Sequence, residues 1–166
     1  MKILIVGLVL LATVSSFASP AIDCLNKISE FTGNALGQKT SYEGKNKEGS
    51  CELRFQYFES TSGITGKQLR EFFIALNMIP EVPLLEQVYR TVWTTISTGD
   101  SLSDQTINSC RVVDNTLELS FVKKMHTGWK KKIFYEVKMK KDDSGFEIYS
   151  GKREKDNEYF GICRID

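Results

Sequence analysis

Lys132-Ile133-Phe134-Tyr135-Glu136-Val137-Lys138-Met139-Lys140 sorts its side chains strictly by parity. Ile133, Tyr135, Val137 and Met139 fall on one side. Lys132, Phe134, Glu136, Lys138 and Lys140 fall on the other. A period of two marks a strand with one buried face. Upstream, Leu117, Leu119 and Phe121 alternate with Thr116, Glu118 and Ser120 in the same way. Asp114-Asn115 before them is turn chemistry, which sets Arg111 to Val113 apart as a short strand. His126-Thr127-Gly128 breaks the pattern, and Gly128 suits a tight connection. Downstream, Asp142-Asp143-Ser144-Gly145 reads as a hairpin loop before Phe146, Ile148 and Ser150. Gly151 to Asn157 reads as a charged connection, and Tyr159 to Ile165 as a last strand.

The stretch from Cys110 to Asp166 is therefore an antiparallel meander, since strands adjacent in sequence are usually adjacent in space. Leu119, Phe121, Ile133, Tyr135, Val137, Phe146 and Ile148 form its apolar face. Glu118, Glu136, Lys138, Lys140 and Glu147 form a face for water. An apolar sheet face needs a cover.

The preceding chain has to supply it. Cys24, Ile28 and Phe31 recur at helical spacing in 20–32, with Pro20 and Asp23 suited to the first turn and Gly33-Asn34 to the stop. Residues 37–49 are polar and read as a loop, or a weak hairpin around Tyr42. Cys51, Leu53, Phe55 and Tyr57 alternate with Glu52, Arg54 and Gln56, which gives a strand over 51–58. Thr65 and Gln68 fit a capping box, and Leu69, Phe72, Phe73 and Leu76 follow at i, i+3, i+4 and i+7. That spacing predicts a second helix over 65–77. Leu85, Val88, Tyr89, Val92 and Ile96 fit a third over 84–98, against the β-branched and aromatic content of 91–96, which favours a strand. Residues 99–109 read as a polar loop. The expected fold class is α+β: an antiparallel sheet of about five strands, the C-terminal meander plus strand 51–58, covered on one face by two or three helices.

Lys2, the apolar run Ile3 to Val14 and the mostly small residues Ser15 to Ser19 have the order of a secretory signal. The expected organisation is a signal peptide over 1–18, cleaved after Ala18 or alternatively Ser19 or Ala21, and a single domain over 19–166. Loss of Lys2 leaves 21 basic and 21 acidic side chains. A neutral, exported chain argues against nucleic acid as a partner. Cys24, Cys51, Cys110 and Cys163 read as two disulfides in a periplasmic or secreted protein. The expected pairing is Cys24–Cys51 and Cys110–Cys163, which would pin the first helix and tie the ends of the meander.

The chemistry-bearing residues are few. His126 is the only histidine, so a Ser-His-Asp or Cys-His hydrolase would have to act through it. Gly63-Ile64-Thr65-Gly66-Lys67 fails as a phosphate loop, with Thr61 and Gln68 where Gly and Ser or Thr belong. No cysteine pair has zinc-site spacing, so neither metal nor cofactor is expected. Lys123, Lys124, Lys130, Lys131 and Lys132 flank His126 and Trp129, a candidate binding patch for an acidic protein, a glycan or an anionic lipid surface. The same lysines would also serve to block edge-to-edge aggregation. The expected function is non-catalytic binding of a macromolecular or envelope partner. The alternative is carriage of a small apolar ligand between helices and sheet, near Phe55, Phe72, Phe73 and Phe121.

Overall fold

The computed structural model describes residues 19–47, 49–61, 63, 65–80, 90–99, 103–125, 131–155 and 157–166. The expected signal segment, His126, Trp129 and Lys130 lie outside them. Among the described residues the chain is mostly β, with one helix, α1 (Pro20–Thr32), and nine strands. These are β1 (Lys39–Lys45), β2 (Gly49–Thr61), β3 (Gln68–Pro80), β4 (Arg90–Ser97), β5 (Ser103–Val113), β6 (Thr116–Met125), β7 (Lys131–Asp142), β8 (Gly145–Glu154) and β9 (Asn157–Ile165). They make one open antiparallel sheet in the order β4-β3-β2-β1-β9-β8-β7-β6-β5. Two meanders, one of four strands and one of five, thus meet edge to edge where β1 touches β9.

This corrects the α+β expectation of five strands under two or three helices. The C-terminal meander is as read: Leu119 pairs with Val137, and Val137 with Ser150, on the core side. Asp114 and Asn115 both take positive φ, the two-residue turn that joins β5 to β6. The helix over 20–32 also stands. Ser19 accepts a hydrogen bond from the Ile22 N–H at 3.3 Å, and Gly33 ends the helix at φ 70°. Its buried stripe is Cys24, Leu25 and Ile28.

Neither of the other two expected helices occurs among the described residues. Residues 68–80 are strand β3, which pairs with β2 over thirteen rungs from Thr61–Gln68 to Gly49–Pro80. Phe72, Leu76 and their neighbours satisfy both periods at once, because Phe72, Ile74, Leu76 and Met78 alternate with Glu71, Phe73, Ala75 and Asn77. Pairing across a long hairpin settles such an ambiguity, and helical spacing alone does not. Within 84–98, β4 is strand, as its run of Thr, Val, Trp and Ile favours; 81–89 lie outside the described residues. The expected loops at 37–49 and 99–109 contain β1 and most of β5. Part of the expected connection 151–157 continues β8 as far as Glu154.

One core lies between the meanders. Leu53, Phe55 and Tyr57 of β2 meet Phe72, Ile74 and Leu76 of β3, and the Phe55 and Phe72 ring centroids are 5.9 Å apart. From the other meander come Leu117, Leu119, Phe121, Tyr135 and Val137, with Phe121 stacked on Tyr135 at 4.9 Å. Gly161 of β9 shows how closely the two layers approach. A Cβ there would stand 2.9 Å from Leu76 Cδ2 and 3.0 Å from Met78 Sδ.

The disulfides are Cys24–Cys110 and Cys51–Cys163, with Cα separations of 5.6 and 5.9 Å. The expected pairing was therefore incorrect. Its reasoning lacked the sheet order, which brings β9 alongside the β1–β2 hairpin and lays α1 against β5. The edge strands β4 and β5 are also drawn together. The Gln105 carboxamide of β5 accepts from the Ser97 N–H at 3.1 Å and donates to the Thr95 carbonyl at 3.2 Å. Edge groups of β4 are thereby met by a side chain rather than left to a foreign strand.

Candidate functional site

The lysine patch expected around His126 is divided by the sheet. Lys124 pairs with Lys132, and both point outward and are exposed. Lys123 and Lys131 fall on the core side of the same two strands, since Lys123 pairs with the buried Ile133. Lys131 is moreover held by Glu154 at 3.0 Å. Glu154 also receives Lys152 at 3.5 Å. The Lys131 hydrogen bond, with Lys152 second, holds the Glu154 carboxyl below its ordinary range. Lys152 in turn lies 5.7 Å from the Trp93 ring centroid and 5.9 Å from that of Tyr159, a cation between two aromatic rings. Beside this network burial, and then the Glu154 charge, push the Tyr135 hydroxyl up to about 12. The arrangement reads as a structural seal at one end of the core.

A different surface is better suited to binding. On the outer face of β7, β8 and β9, Glu136, Lys138, Lys140 and Glu147 meet water as their parity requires. Phe134, Tyr149, Phe160 and Ile162 share that face by register: Phe134 pairs with Arg153, Gly151 with Phe160, and Tyr149 with Ile162. Phe134, Phe160 and Ile162 are 48%, 54% and 48% exposed, and Tyr159 at the adjoining rim is 48% exposed. Large apolar groups gathered at one place are the informative exception on a soluble surface.

Two depressions flank Phe160. The first, of about 230 Å³, lies over Gly151, with Phe134, Tyr149 and Phe160 around it. The missing side chain at Gly151 leaves room for the Tyr149 phenol, whose oxygen would stand 2.7 Å from a Cβ there. Burial, followed by the Glu136 and Glu158 carboxylates, raises the Tyr149 hydroxyl above its ordinary value. Glu158 is itself paired with Arg153 at 2.5 Å.

The second depression is larger, about 470 Å³, and more apolar. It forms because β1 and β9 share a single rung, Lys45–Arg164. Past that rung β1 ends, and β9 runs on beside a groove. Met78, Phe160, Gly161 and Ile162 supply its walls, and Lys45, Lys47, Arg164 and Glu147 its rim. The Asn46 amide donates to the Met78 thioether at 3.3 Å and steadies one wall. The volume lies within the roughly 300–1,000 Å³ of small-ligand sites.

Sequence reasoning passed over this surface. The available signal was the last strand, where Tyr159, Phe160 and Ile162 make both faces apolar, and Phe134 on an otherwise charged side. The depressions described open on the outer face, whereas the carrier expectation put its ligand between helix and sheet. There Phe55, Phe72 and Phe121 are almost wholly buried. No cluster of three or more His, Cys, Asp or Glu able to hold a metal occurs among the described residues, and no described helix is long and apolar enough to cross a membrane. The two disulfides are consistent with an oxidising compartment. Compared with family models, with curated proteins and with solved structures, the chain matches none.

Proposed function

We propose that this chain is an exported, non-catalytic binding protein and that it engages its partner or ligand through the outer face of β9 and the strands beside it. The carrying observation is the gathering of Phe134, Phe160 and Ile162, each about half exposed, around two depressions on one surface. Apolar groups left in water at one place gain most when a second body covers them. The lysine patch supports the reading less well, because its described members are split between the two faces of the sheet.

The test is native mass spectrometry of the protein purified from its own source, beside a Phe160→Ser/Ile162→Ser variant. The wild type should carry an associated species that the variant lacks. A bare wild type, or the same associated species on both proteins, contradicts the proposal.

A further inference from the structure

We infer that the groove between β9 and the β1–β2 turn takes a single-chain anionic amphiphile, a fatty-acid type of ligand, with its tail along β9 and its head group at Lys45 and Lys47. This rests on the reading of the β9 face as the binding surface and names the ligand class for its larger groove. Groove and ligand are complementary in shape and in charge. Ile162 and Phe160 are successive outward residues of β9, and Met78 and the buried Gly161 line the same groove. The five residues of strand from Phe160 to Arg164 span roughly 14 Å, with Phe160 and Ile162 as the apolar side chains on the outward side. Such a track matches an extended hydrocarbon chain better than a compact ring.

The charges of the rim are not equivalent. Arg164 is already answered, by Asp166 at 3.2 Å and Asp142 at 3.9 Å. By register Lys45 lies on one side of Arg164 and Glu147 on the other. Lys45 and Lys47 are exposed, and neither has an ion-pair partner among the described residues. The cationic end of the groove is therefore at the β1–β2 turn, and the acidic end at β8. A carboxylate head meets, on the β1 side, two ammonium groups with no ion-pair partner among the described residues, and a carboxylate on the β8 side. This polarity, read across β9 at the Arg164 rung, fixes the sign of the head group and the side of β9 on which it sits.

The probes are dodecanoate and dodecyltrimethylammonium, which share a tail length and carry opposite heads, titrated calorimetrically into the full oxidised protein. Dodecanoate should bind one per chain, and the cation at least ten-fold more weakly. Phe160→Ser/Ile162→Ser should abolish binding. Lys45→Glu/Lys47→Glu should weaken dodecanoate at least ten-fold and narrow or reverse the preference between heads. Val112→Ser, which alters an equally exposed apolar residue on β5, should change nothing. All substituted positions are exposed, and matching thermal unfolding of the variants confirms that the fold is kept. Equal affinity for the two heads, indifference to the Phe160 and Ile162 substitutions, or no binding of dodecanoate each overturns the inference. The mass comparison of source-purified protein then decides separately whether the β9 face binds something else.

Discussion

Replacing Cys51 and Cys163 together with alanine removes the bridge that holds β2 to β9, and its cost can be worked from the connectivity. The bridge spans 112 residues of sequence and the Cys24–Cys110 bridge 86. The two loops overlap, so while one bridge remains the other does not close its full span. The shorter route from Cys51 runs back to Cys24, across the remaining bridge, and on from Cys110 to Cys163, about 80 residues. Loop-closure entropy at that length corresponds to about 4.5 kcal/mol. The same route governs the converse variant lacking Cys24 and Cys110, so the entropic losses are nearly equal. Burial separates the two variants. Cys51 and Cys163 are both within 1% of complete burial, whereas Cys110 is only partly covered. Truncation in a packed interior leaves a cavity, and the Cys51/Cys163 variant should be the less stable by about 1 kcal/mol. Urea unfolding at matched temperature and pH measures both losses against the oxidised wild type. A loss under about 1 kcal/mol for Cys51→Ala/Cys163→Ala, or a clearly larger loss for the Cys24/Cys110 variant, would refute the reasoning.

Other consequences are local. Gly161→Val forces a side chain against Leu76 and Met78 and should cost about 1–3 kcal/mol by overpacking, seen as a lower urea midpoint; an unchanged midpoint would mean that β9 does not press on β3. Gln105→Ala strips the Thr95 carbonyl and Ser97 N–H of their partner and should cost about 1–3 kcal/mol, with faster amide exchange at Ser97. Unaltered exchange there would deny that Gln105 seals the β4 edge. Tyr135 keeps its proton when folded to about pH 12 but loses it near pH 10 when unfolded, so its contribution is complete below about pH 10 and fades as the pH rises towards 12. That leg amounts to at most about 2–3 kcal/mol. Tyr135→Phe should flatten the alkaline fall in the urea midpoint, and identical slopes for the two proteins would count against the assignment.

How much of this was legible depends on whether a residue's neighbours in space are also its neighbours in sequence. The meander from Val113 to Ile165 could be read because each strand pairs with the next and the turns carry their own chemistry, as Asp114-Asn115 and Asp142 to Gly145 do. The helix over 20–32 carried its caps in sequence. The second helix was expected over 65–77 because Phe72 and Leu76 fit both periods and Thr65 and Gln68 fit a capping box, whereas Ile74, buried between them, fits only the period of two. The cysteine pairing hung on a non-local fact, the contact of β1 with β9 at one rung, and no local pattern encodes it. The groove was hidden for the same reason: Met78, Phe160 and Lys45 come from three distant stretches. The lysine patch was legible as composition, but composition does not reveal parity, and parity puts Lys123 and Lys124 on opposite faces.

The measurement that bears most directly on the account is peptide mapping of the native protein without reduction. Cys51 joined to Cys163 requires β9 to lie beside the β1–β2 hairpin, and the groove exists only if it does. The account predicts peptides linked Cys24–Cys110 and Cys51–Cys163. Recovery of Cys24–Cys51 with Cys110–Cys163 would contradict the sheet order, and with it the β9 surface as the place of binding.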